Sequence, residues 1–164
     1  MIIAGYLVEA IKDLRYLLSR RYKRDSAVRF VADKYGVTLA ERYVLMRCVF
    51  DDAESEDRRK KLVQITDING KVVSIDGYNL LITIESMLAK KVLIKCDDSF
   101  VRDISAVFGK HKITSKTTLA LRMILENLKE NNPKEVRFFY DKQVSKSGEL
   151  ASLTRRMTDE FKLK

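Results

Sequence analysis

Aspartates at the ends of predicted strands are the residues of this sequence with the clearest chemical potential. The segment Lys71-Val-Val-Ser-Ile-Asp-Gly-Tyr-Asn-Leu80 predicts a buried strand, Val72 to Ile75, that ends at Asp76 and is followed by a glycine. A second apolar strand, Val136-Arg-Phe-Phe-Tyr, ends at Asp141. Open α/β sheets bind ligands and metals beyond the carboxyl ends of their strands. The repeated pattern therefore predicts a divalent-metal site.

Further aspartates follow another predicted strand, Val92–Lys95, and continue into a helix predicted over about Phe100–Phe108. If all the strands are parallel, the acids meet at one edge, and their mutual repulsion favours a bound cation. The predicted cluster consists of Asp76, Asp98, Asp103 and Asp141. Carboxylates without His or Cys partners favour Mg²⁺ or Mn²⁺, which can activate water for phosphodiester hydrolysis. The alternative is that each aspartate caps the next helix or turn, and the choice between Asp97 and Asp98 stays open.

Polar residues near these acids are candidates for binding a substrate. Ser147 is predicted to cap the last helix, and a helix N-terminus beside Lys146 can bind a phosphate through backbone N–H groups. Plain helix capping explains the same two residues equally well. Asn79 is expected to orient a ligand or a metal-bound water, and Arg102 is expected to contact the substrate.

The first 61 residues predict a helical bundle with a segment that is similar to a helix-turn-helix. Asp25 is predicted to cap the second helix and Gly36 to end it, while Thr38 and Glu41 form a capping box for the third. The spacing from Ala32 to the Gly-Val-Thr turn matches the DNA-binding motif. A bundle that only packs on the rest of the protein is the alternative.

A basic surface is the second functional signal. Lys and Arg outnumber Asp and Glu by 32 to 23, which gives a net charge of +9 and favours a polyanionic partner. The predicted phosphate contacts are Arg20, Arg21, Lys23 and Arg24. They lead us to expect a nucleic-acid partner, with RNA favoured over DNA, and we also expect a homodimer.

The cysteines, the single histidine and the apolar stretches of the sequence argue against several classes of protein. Cys48 and Cys96 are the only cysteines and have no metal-ligand spacing, and the single histidine, His111, lies between lysines and is expected at the surface. No Ser-His-Asp or Cys-His arrangement is evident. Because no stretch approaches the ~20 apolar residues that span a bilayer, we expect no membrane association and a cytoplasmic location.

Residues 62–164 predict an α/β domain. Three short apolar strands alternate with helices, a pattern typical of a mostly parallel sheet that is covered on both faces. The long helices are predicted over about Asn79–Leu88, Ser115–Lys129 and Ser147–Phe161. The fold class predicted for the chain is therefore a helical bundle followed by a three-layer α/β/α domain.

A family resemblance rests on five segments: Asp-Leu-Arg-Tyr-Leu-Leu (13–18), Ser-Ala-Val-Arg-Phe-Val (26–31), Ile-Asp-Gly-Tyr-Asn-Leu-Leu-Ile-Thr-Ile-Glu-Ser (75–86), Cys-Asp-Asp-Ser-Phe-Val-Arg-Asp-Ile-Ser (96–105) and Ser-Lys-Ser-Gly-Glu-Leu (145–150). They resemble the domain-of-unknown-function 434 family of archaea and bacteria, and the likeness covers nearly the whole chain. That family supplies no activity.

The Asp-Gly-Tyr-Asn element also resembles PIN-like and NYN-type ribonuclease domains, which hold Mg²⁺ or Mn²⁺ on strand-end carboxylates and cut RNA. This resemblance implies that Asp76 is the first-strand acid, Asp98 or Asp103 a middle acid, and Asp141 a later strand-end acid. PIN-like domains usually continue through another strand, whereas this sequence ends after the helix that follows Asp141. The resemblance therefore implies a shortened or truncated form of that fold, or an incomplete site.

Overall fold

Two compact units make up the protein. The structure, a computed structural model, describes residues 5–104 and 111–164. The first unit contains the described part of residues 1–62 and 92–106, and the second contains that of residues 63–91 and 107–164. The first boundary thus falls close to the one predicted after residue 61, but the chain later returns to the first unit, which the sequence analysis did not predict.

The helices of the first unit form a small bundle. They are α1 (Gly5–Ser19), α2 (Arg24–Tyr35), α3 (Leu39–Cys48) and α4 (Asp52–Arg59). Leucines at helical spacing, Leu14 and Leu18, are buried on α1 and pack in one cluster with Val28, Val31 and Leu45 of the next two helices. Burial of this stripe is the main force that holds the three helices together.

The turn between α2 and α3 confirms two sequence predictions and corrects a third. Gly36 ends α2 with a left-handed φ of 60°, which a glycine adopts without strain. Thr38 and Glu41 form the predicted capping box at the start of α3. Asp25 does not cap α2, because the helix begins two residues earlier than predicted, at Arg24, and Lys23 occupies the cap position. Asp25 lies in the first turn, where a negative charge favours the helix dipole.

A β-hairpin completes the first unit. Strands β2 (Leu93–Lys95) and β3 (Val101–Asp103) are antiparallel, and β2 has no partner among the described strands of the second unit. Ser99 has a left-handed φ of 70°, and the Phe100 amide donates to the Asp98 carboxylate at 3.2 Å. Such a side-chain turn reverses the chain.

Two sequence predictions are therefore wrong in this region. The strand predicted over Val92–Lys95 does not join the parallel sheet, and residues 101–103 form a strand within the predicted helix Phe100–Phe108. The later part of that predicted helix, residues 105–108, lies outside the described residues.

The second unit is a parallel strand pair packed with helices. Its elements are a 3-10 turn (Ile65–Ile68), β1 (Val72–Asp76), α5 (Gly77–Leu88), α6 (Ser115–Glu130), β4 (Glu135–Phe139) and α7 (Ser147–Glu160). These agree closely with the strands and helices predicted there. Leu81, Leu121, Leu125 and Leu150 are fully buried in the shared core of this unit.

The structure is thus a mixed α/β fold whose second unit has a small parallel sheet. Strands β1 and β4 are in parallel register from Val72 opposite Glu135 to Asp76 opposite Phe139. Across residues 5–104 and 111–164, no helix has the combination of length and apolar character that crossing a membrane requires.

The close approach of Gly77 to Tyr140 generates the first prediction. A Cβ atom at Gly77 would lie 2.3 Å from Cε1 of Tyr140, whose ring packs on Tyr78 and whose hydroxyl hydrogen-bonds Thr154 at 2.7 Å. The ring cannot move aside without losing these contacts. We expect Gly77→Ala to lower the free energy of unfolding by about 1–3 kcal/mol in urea denaturation.

Gly148→Ala is the matched control for this substitution. Gly148 lies in α7, and a Cβ there meets no heavy atom within 4 Å. We expect it to leave stability unchanged or to raise it by up to about 1 kcal/mol, since alanine favours helices over glycine. Equal effects of the two substitutions would show that the Tyr140 ring does not constrain position 77.

Candidate functional site

The carboxyl ends of β1 and β4 carry the two acids that the sequence placed at strand ends. Asp76 is the last residue of β1, opposite Phe139 of β4, and Asp141 follows two residues beyond Phe139. Both aspartates are exposed to solvent. The parallel register places both residues at the same end of the sheet, and we call Asp76 and Asp141 the acidic edge.

Asp76 both caps a helix and holds a neighbouring side chain. Its Oδ1 accepts from the Asn79 amide at 3.1 Å, and its Oδ2 accepts from Asn79 Nδ2 at 2.5 Å. The capping role, which the sequence left as the alternative, is therefore observed. Asp141 accepts from the Gln143 amide at 2.9 Å. Each carboxylate keeps lone pairs for a further ligand, because an ionised carboxylate has about four acceptor sites.

A tyrosine lies directly behind the acidic edge. Tyr78 is 9% exposed, and its ring packs edge-on against Tyr140 and His111 at centroid distances of 5.3 and 5.7 Å. Among the described residues its buried hydroxyl has no hydrogen-bond partner. Burial, and then the negative charge of Asp141, raise the pKa of Tyr78. A buried donor without a partner is costly, so this hydroxyl is suited to a polar ligand.

His111 is buried, which corrects the surface position expected from its lysine neighbours. It is 6% exposed, and its Nε2 lies 2.9 Å from Glu85 Oε2. The second oxygen of Glu85 accepts from the Thr117 hydroxyl at 2.5 Å. The sequence analysis missed Glu85 and Thr117. Glu85 lies two turns after Gly77 on α5, which is otherwise mostly apolar. An acidic residue in an apolar helix needs a buried polar partner, and this feature of the sequence could have identified Glu85.

Lysines line a cavity beside this buried network. The cavity has a volume of about 380 Å³ and is lined by Glu85, His111, Lys91, Lys112 and Lys116 among others. The three lysines are exposed. Since the Glu85 carboxylate already binds Thr117 and His111, the cationic groups remain available for an anion.

The predicted middle acid Asp98 has a structural role instead. It is fully buried, and its two oxygens accept from the two terminal nitrogens of Arg102 at 2.7 and 2.6 Å. Burial alone would raise the pKa of Asp98, but the hydrogen bonds from Arg102 and the Phe100 amide outweigh it and lower that pKa. The arginine occupies the position that a metal would need. Asp98 and Arg102 thus bind each other in this structure, whereas the sequence analysis expected them to contact a metal and the substrate.

Asp103 also differs from its predicted position. It is buried on β3, opposite Leu93 of the hairpin, and not at an end of the β1–β4 sheet. In the described part of the chain, no group of three or more His, Cys, Asp or Glu residues could hold a metal ion. Of the four predicted acids, Asp76 and Asp141 lie in the second unit, and Asp98 and Asp103 lie in the first.

The predicted phosphate contact at the start of α7 is only partly available. Ser147 is the first residue of the helix, and Lys146, with a left-handed φ of 65°, occupies the cap position without a side-chain cap. The Ser147 amide donates to the Val144 carbonyl at 3.2 Å, so this donor is already used. Lys146 Nζ lies 3.4 Å from Glu149. The prediction of Ser147 as the N-cap is therefore wrong by one residue.

The basic segment between α1 and α2 divides into exposed and structural residues. Arg20, Arg21 and Lys23 are exposed, as predicted for phosphate contacts. Arg24 is different: its guanidinium donates to the carbonyls of Met46 and Val49 at 3.1 and 2.9 Å and also binds Glu54. Arg24 therefore closes the end of α3 and is not free to bind nucleic acid.

Comparison with known proteins places the chain in a family. Residues 6–61 match the family described as "Protein of unknown function (DUF434)", and residues 65–164 match "Domain of unknown function (DUF5616)". The chain is 37% identical over 155 residues to "Uncharacterized protein MJ0935" of Methanocaldococcus jannaschii, which covers 94% of this chain and 74% of that protein. The chain belongs to the DUF434 family. The resemblance to DUF434 is confirmed for residues 6–61, but it does not extend over nearly the whole chain as predicted, because residues 65–164 match DUF5616. No solved structure matches the chain.

The two matched segments of this DUF434 protein do not coincide with its two structural units. The segments meet between residues 61 and 65, whereas the first unit also includes the hairpin β2–β3 from within the second segment. Both segments therefore build the first unit.

The buried Asp98–Arg102 pair generates the second prediction. Removing one partner of a buried pair leaves the other charge uncompensated, so we expect Asp98→Asn to lower the free energy of unfolding by about 3 kcal/mol at pH 7. The pKa of Asp98 is lowered in the folded protein from its ordinary value of 3.8. The extra stability of the wild type over Asp98→Asn is therefore complete above pH 3.8 and shrinks as the pH falls below that value. Denaturant titrations between pH 7 and pH 2.5 measure both effects.

Lys12→Ala is the control for this experiment. Lys12 pairs with Glu9 on the surface, where the two side chains are 62% and 55% exposed, and we expect a change within about 0.5 kcal/mol. A cost of Asp98→Asn as small as that of the control, or one that does not decrease in acid, would contradict the structural role assigned to the pair.

Proposed function

We propose that this DUF434 protein is a metal-dependent ribonuclease whose cation site is the acidic edge. The parallel register of β1 and β4 carries the proposal, because it directs Asp76 and Asp141 to one end of the sheet. Within the described residues, neither carboxylate forms an ion pair with a lysine, arginine or histidine. Two exposed, uncompensated acids at one sheet end favour a divalent cation.

The acidic edge fits Mg²⁺ or Mn²⁺ as a two-carboxylate site. Mg²⁺ commonly keeps several waters and binds one or two protein carboxylates together with substrate phosphates. Asp76 and Asp141 supply that number. When bound, such an ion activates a water molecule and stabilises the leaving oxygen of a phosphodiester. A larger cluster does not fit, because Asp98 binds Arg102.

The surrounding residues position these groups. The two hydrogen bonds from Asn79 fix the plane of the Asp76 carboxylate, so its orientation does not depend on the ligand. We infer that the lysines of the neighbouring cavity, Lys91, Lys112 and Lys116, attract the polyanionic substrate to this unit.

The proposal includes a PIN-like arrangement of the second unit. Its support is the chain order β1–α5 followed by β4–α7, together with the parallel pairing of the two strands. The resemblance of the Asp76-Gly77-Tyr78-Asn79 element to PIN-like and NYN-type domains favours RNA as the substrate. A cytoplasmic location and a homodimer stay predictions from the sequence.

Manganese titration tests this proposal and gives the third prediction. We expect stoichiometric Mn²⁺ binding by calorimetry, at least tenfold weaker in Asp76→Asn and in Asp141→Asn, with cleavage of single-stranded RNA lost in both. Asparagine is a good helix cap, so Asp76→Asn should preserve the start of α5. Asp159→Asn, at the exposed end of α7, makes the same charge change and should alter neither property.

The outcomes separate the parts of the proposal. Mn²⁺ binding and cleavage that persist in Asp76→Asn would show that the acidic edge is not the site. Binding that depends on the edge but is never accompanied by cleavage would retain the cation site and overturn the ribonuclease activity. An effect of Asp159→Asn equal to that of Asp76→Asn would show that only the net charge matters.

Binding of nucleic acid without catalysis is the second candidate function, and the basic segment favours it. Two exposed aromatic residues, Tyr16 and Tyr22, lie close in the sequence to Arg20, Arg21 and Lys23. The Arg20 guanidinium lies 5.4 Å from the centroid of the Tyr16 ring. Cations that contact phosphates, beside aromatic rings on which bases stack, are typical of proteins that bind single strands.

Salt dependence tests this second function and gives the fourth prediction. We expect the combined change Arg20→Gln, Arg21→Gln and Lys23→Gln to reduce the slope of log affinity against log salt for single-stranded RNA by about 2, since each single-strand phosphate contact contributes about 0.7. Fluorescence anisotropy with and without metal measures it. The loss should be the same in EDTA.

A charge-matched control lies in the same unit. Lys12, Lys34 and Lys60 are each paired with an acid, at 2.8, 2.6 and 3.1 Å, and we expect their combined replacement by glutamine to change the slope by less than half as much. Equal slopes for the two triple variants would indicate a general charge effect. An unchanged slope in the first variant would remove the basic segment from the binding surface.

A further inference from the structure

The two cysteines lie together in the first unit, although 47 residues separate them in the sequence. Cys48 is the last residue of α3, and Cys96 follows β2. The Asp97 amide donates to the Cys48 carbonyl at 3.0 Å, so the backbones that carry the two thiols are direct neighbours. Both side chains are buried, at 3% and 6% exposure, in one small cluster with Val44 and Phe50.

The two sulfur atoms interact, and their surroundings make them unequal. A hydrogen bond from Cys48 and the guanidinium of Arg102 lower the pKa of Cys96 to about 7, although burial opposes them. The same hydrogen bond, together with burial, raises the pKa of Cys48. Arg102 is opposite Ile94 on the hairpin, and its position is fixed by Asp98. Cys96 is therefore the more nucleophilic sulfur, since the thiolate is the reactive form.

A cavity reaches the thiol cluster at Cys48. It has a volume of about 570 Å³ and is lined by Cys48, Val44 and Ile94 of that cluster. Cys96 packs behind this lining, so a peroxide reaches its sulfur by passing Cys48. This volume admits a peroxide or a small disulfide. Because both thiols are buried, oxidation within the molecule is favoured over crosslinking of two chains.

We propose that Cys48 and Cys96 form an oxidisable dithiol that closes to an intramolecular disulfide on exposure to a peroxide. The Cys96 thiol loses its proton, and its sulfur attacks a peroxide oxygen and breaks the O–O bond, which gives a sulfenic acid on Cys96. The released hydroxide takes up that proton and leaves as water. The Cys48 sulfur then attacks the Cys96 sulfur and displaces the hydroxyl group, which takes the Cys48 thiol proton and leaves as a second water. The protein loses two protons and two electrons, and the peroxide is reduced to two waters.

The disulfide would fasten the hairpin β2–β3 to the end of α3. At present this connection depends on two hydrogen bonds of Asp97, whose amide donates to the Cys48 carbonyl and whose carboxylate accepts from the Phe50 amide at 3.1 Å, and on burial of the thiol cluster. A covalent link that closes a loop of this length restricts the unfolded chain strongly. The oxidised protein should therefore unfold at a temperature several degrees higher than the reduced protein.

Peroxide treatment followed by alkylation in denaturant tests the proposal and gives the fifth prediction. In the full-length protein we expect loss of both alkylatable thiols, a Cys48–Cys96 peptide in the digest, and full recovery with dithiothreitol. Cys48→Ser should accumulate a sulfenic acid on Cys96 that dimedone traps, whereas Cys96→Ser should leave Cys48 largely unreacted. The wild-type measurement does not depend on how well either variant folds.

Several results would overturn the proposal. Two thiols that stay alkylatable after peroxide would show that the pair is inert. Crosslinked dimers without an intramolecular disulfide, or sulfinic acid without a disulfide, would show that the sulfurs do not meet. A dimedone adduct that forms on Cys48 in Cys96→Ser, but not on Cys96 in Cys48→Ser, would reverse the assigned roles and overturn the mechanism.

Discussion

The parallel pairing of β1 with β4 is the constraint on which the second unit depends. Parallel neighbours cannot be joined by a tight turn, so the chain between them must cross over the sheet. In this protein the crossover contains α5 and α6, and between them a hairpin that belongs to the first unit. Because both strands run in the same direction, the residues that follow them reach one end of the sheet. Topology, and not local sequence, therefore brings Asp76 and Asp141 to the same edge.

The aspartates of the two units differ in how their charge is balanced. Asp97 and Asp98 are held by the guanidinium groups of Arg15 and Arg102, so each carboxylate already has a cationic partner. At the acidic edge the donors observed among the described residues are neutral amides, from Asn79 to Asp76 and from Gln143 to Asp141. A carboxylate bound only by amides keeps its full negative charge. Asp97 and Asp98 therefore stabilise the fold of the first unit. Asp76 and Asp141 of the second unit have no cationic partner among the described residues.

Phe50 shows how the first unit uses its arginines. The guanidinium groups of Arg24, Arg58 and Arg102 lie 4.7, 4.5 and 5.4 Å from the centroid of its ring. These arginines also bind Glu54 or Asp98, so the aromatic ring and two carboxylates together balance three positive charges. Several of the basic residues are thus held inside the first unit by these contacts. A count of charges from the sequence therefore overestimates the number of basic groups that are free on the surface.

Local signals in the sequence were sufficient for most elements and for the strand-end positions of Asp76 and Asp141. The capping box at Thr38, the left-handed Gly36 and the two long apolar strands depend on residues close in the chain, and they were predictable. The hairpin was not, because its pairing and its packing depend on partners distant in the sequence. Asp98 was predicted to bind a metal and Arg102 to contact the substrate, whereas the two side chains bind each other across a turn.

The buried network around His111 was missed for a related reason. The sequence shows a histidine between two lysines, which is typical of a surface loop, and nothing nearby indicates that Glu85 on α5 is its partner. The role of Arg24 was hidden in the same way, since the carbonyls it binds belong to the end of α3. Contacts between elements that are distant in the sequence decide which charged residues are exposed. Such contacts cannot be predicted from composition or from hydrophobic periodicity.

The return of the hairpin to the first unit limits how this protein can evolve. Phe50, Cys48 and the end of α3 come from the segment that matches DUF434, but Ile94, Cys96 and Arg102, which pack with them, come from the segment that matches DUF5616. A recombination event at the junction near residue 62 would pair the helical bundle with a foreign hairpin and leave that interior mismatched. The two segments are thus not exchangeable modules, and physical complementarity across the junction requires that they be inherited together.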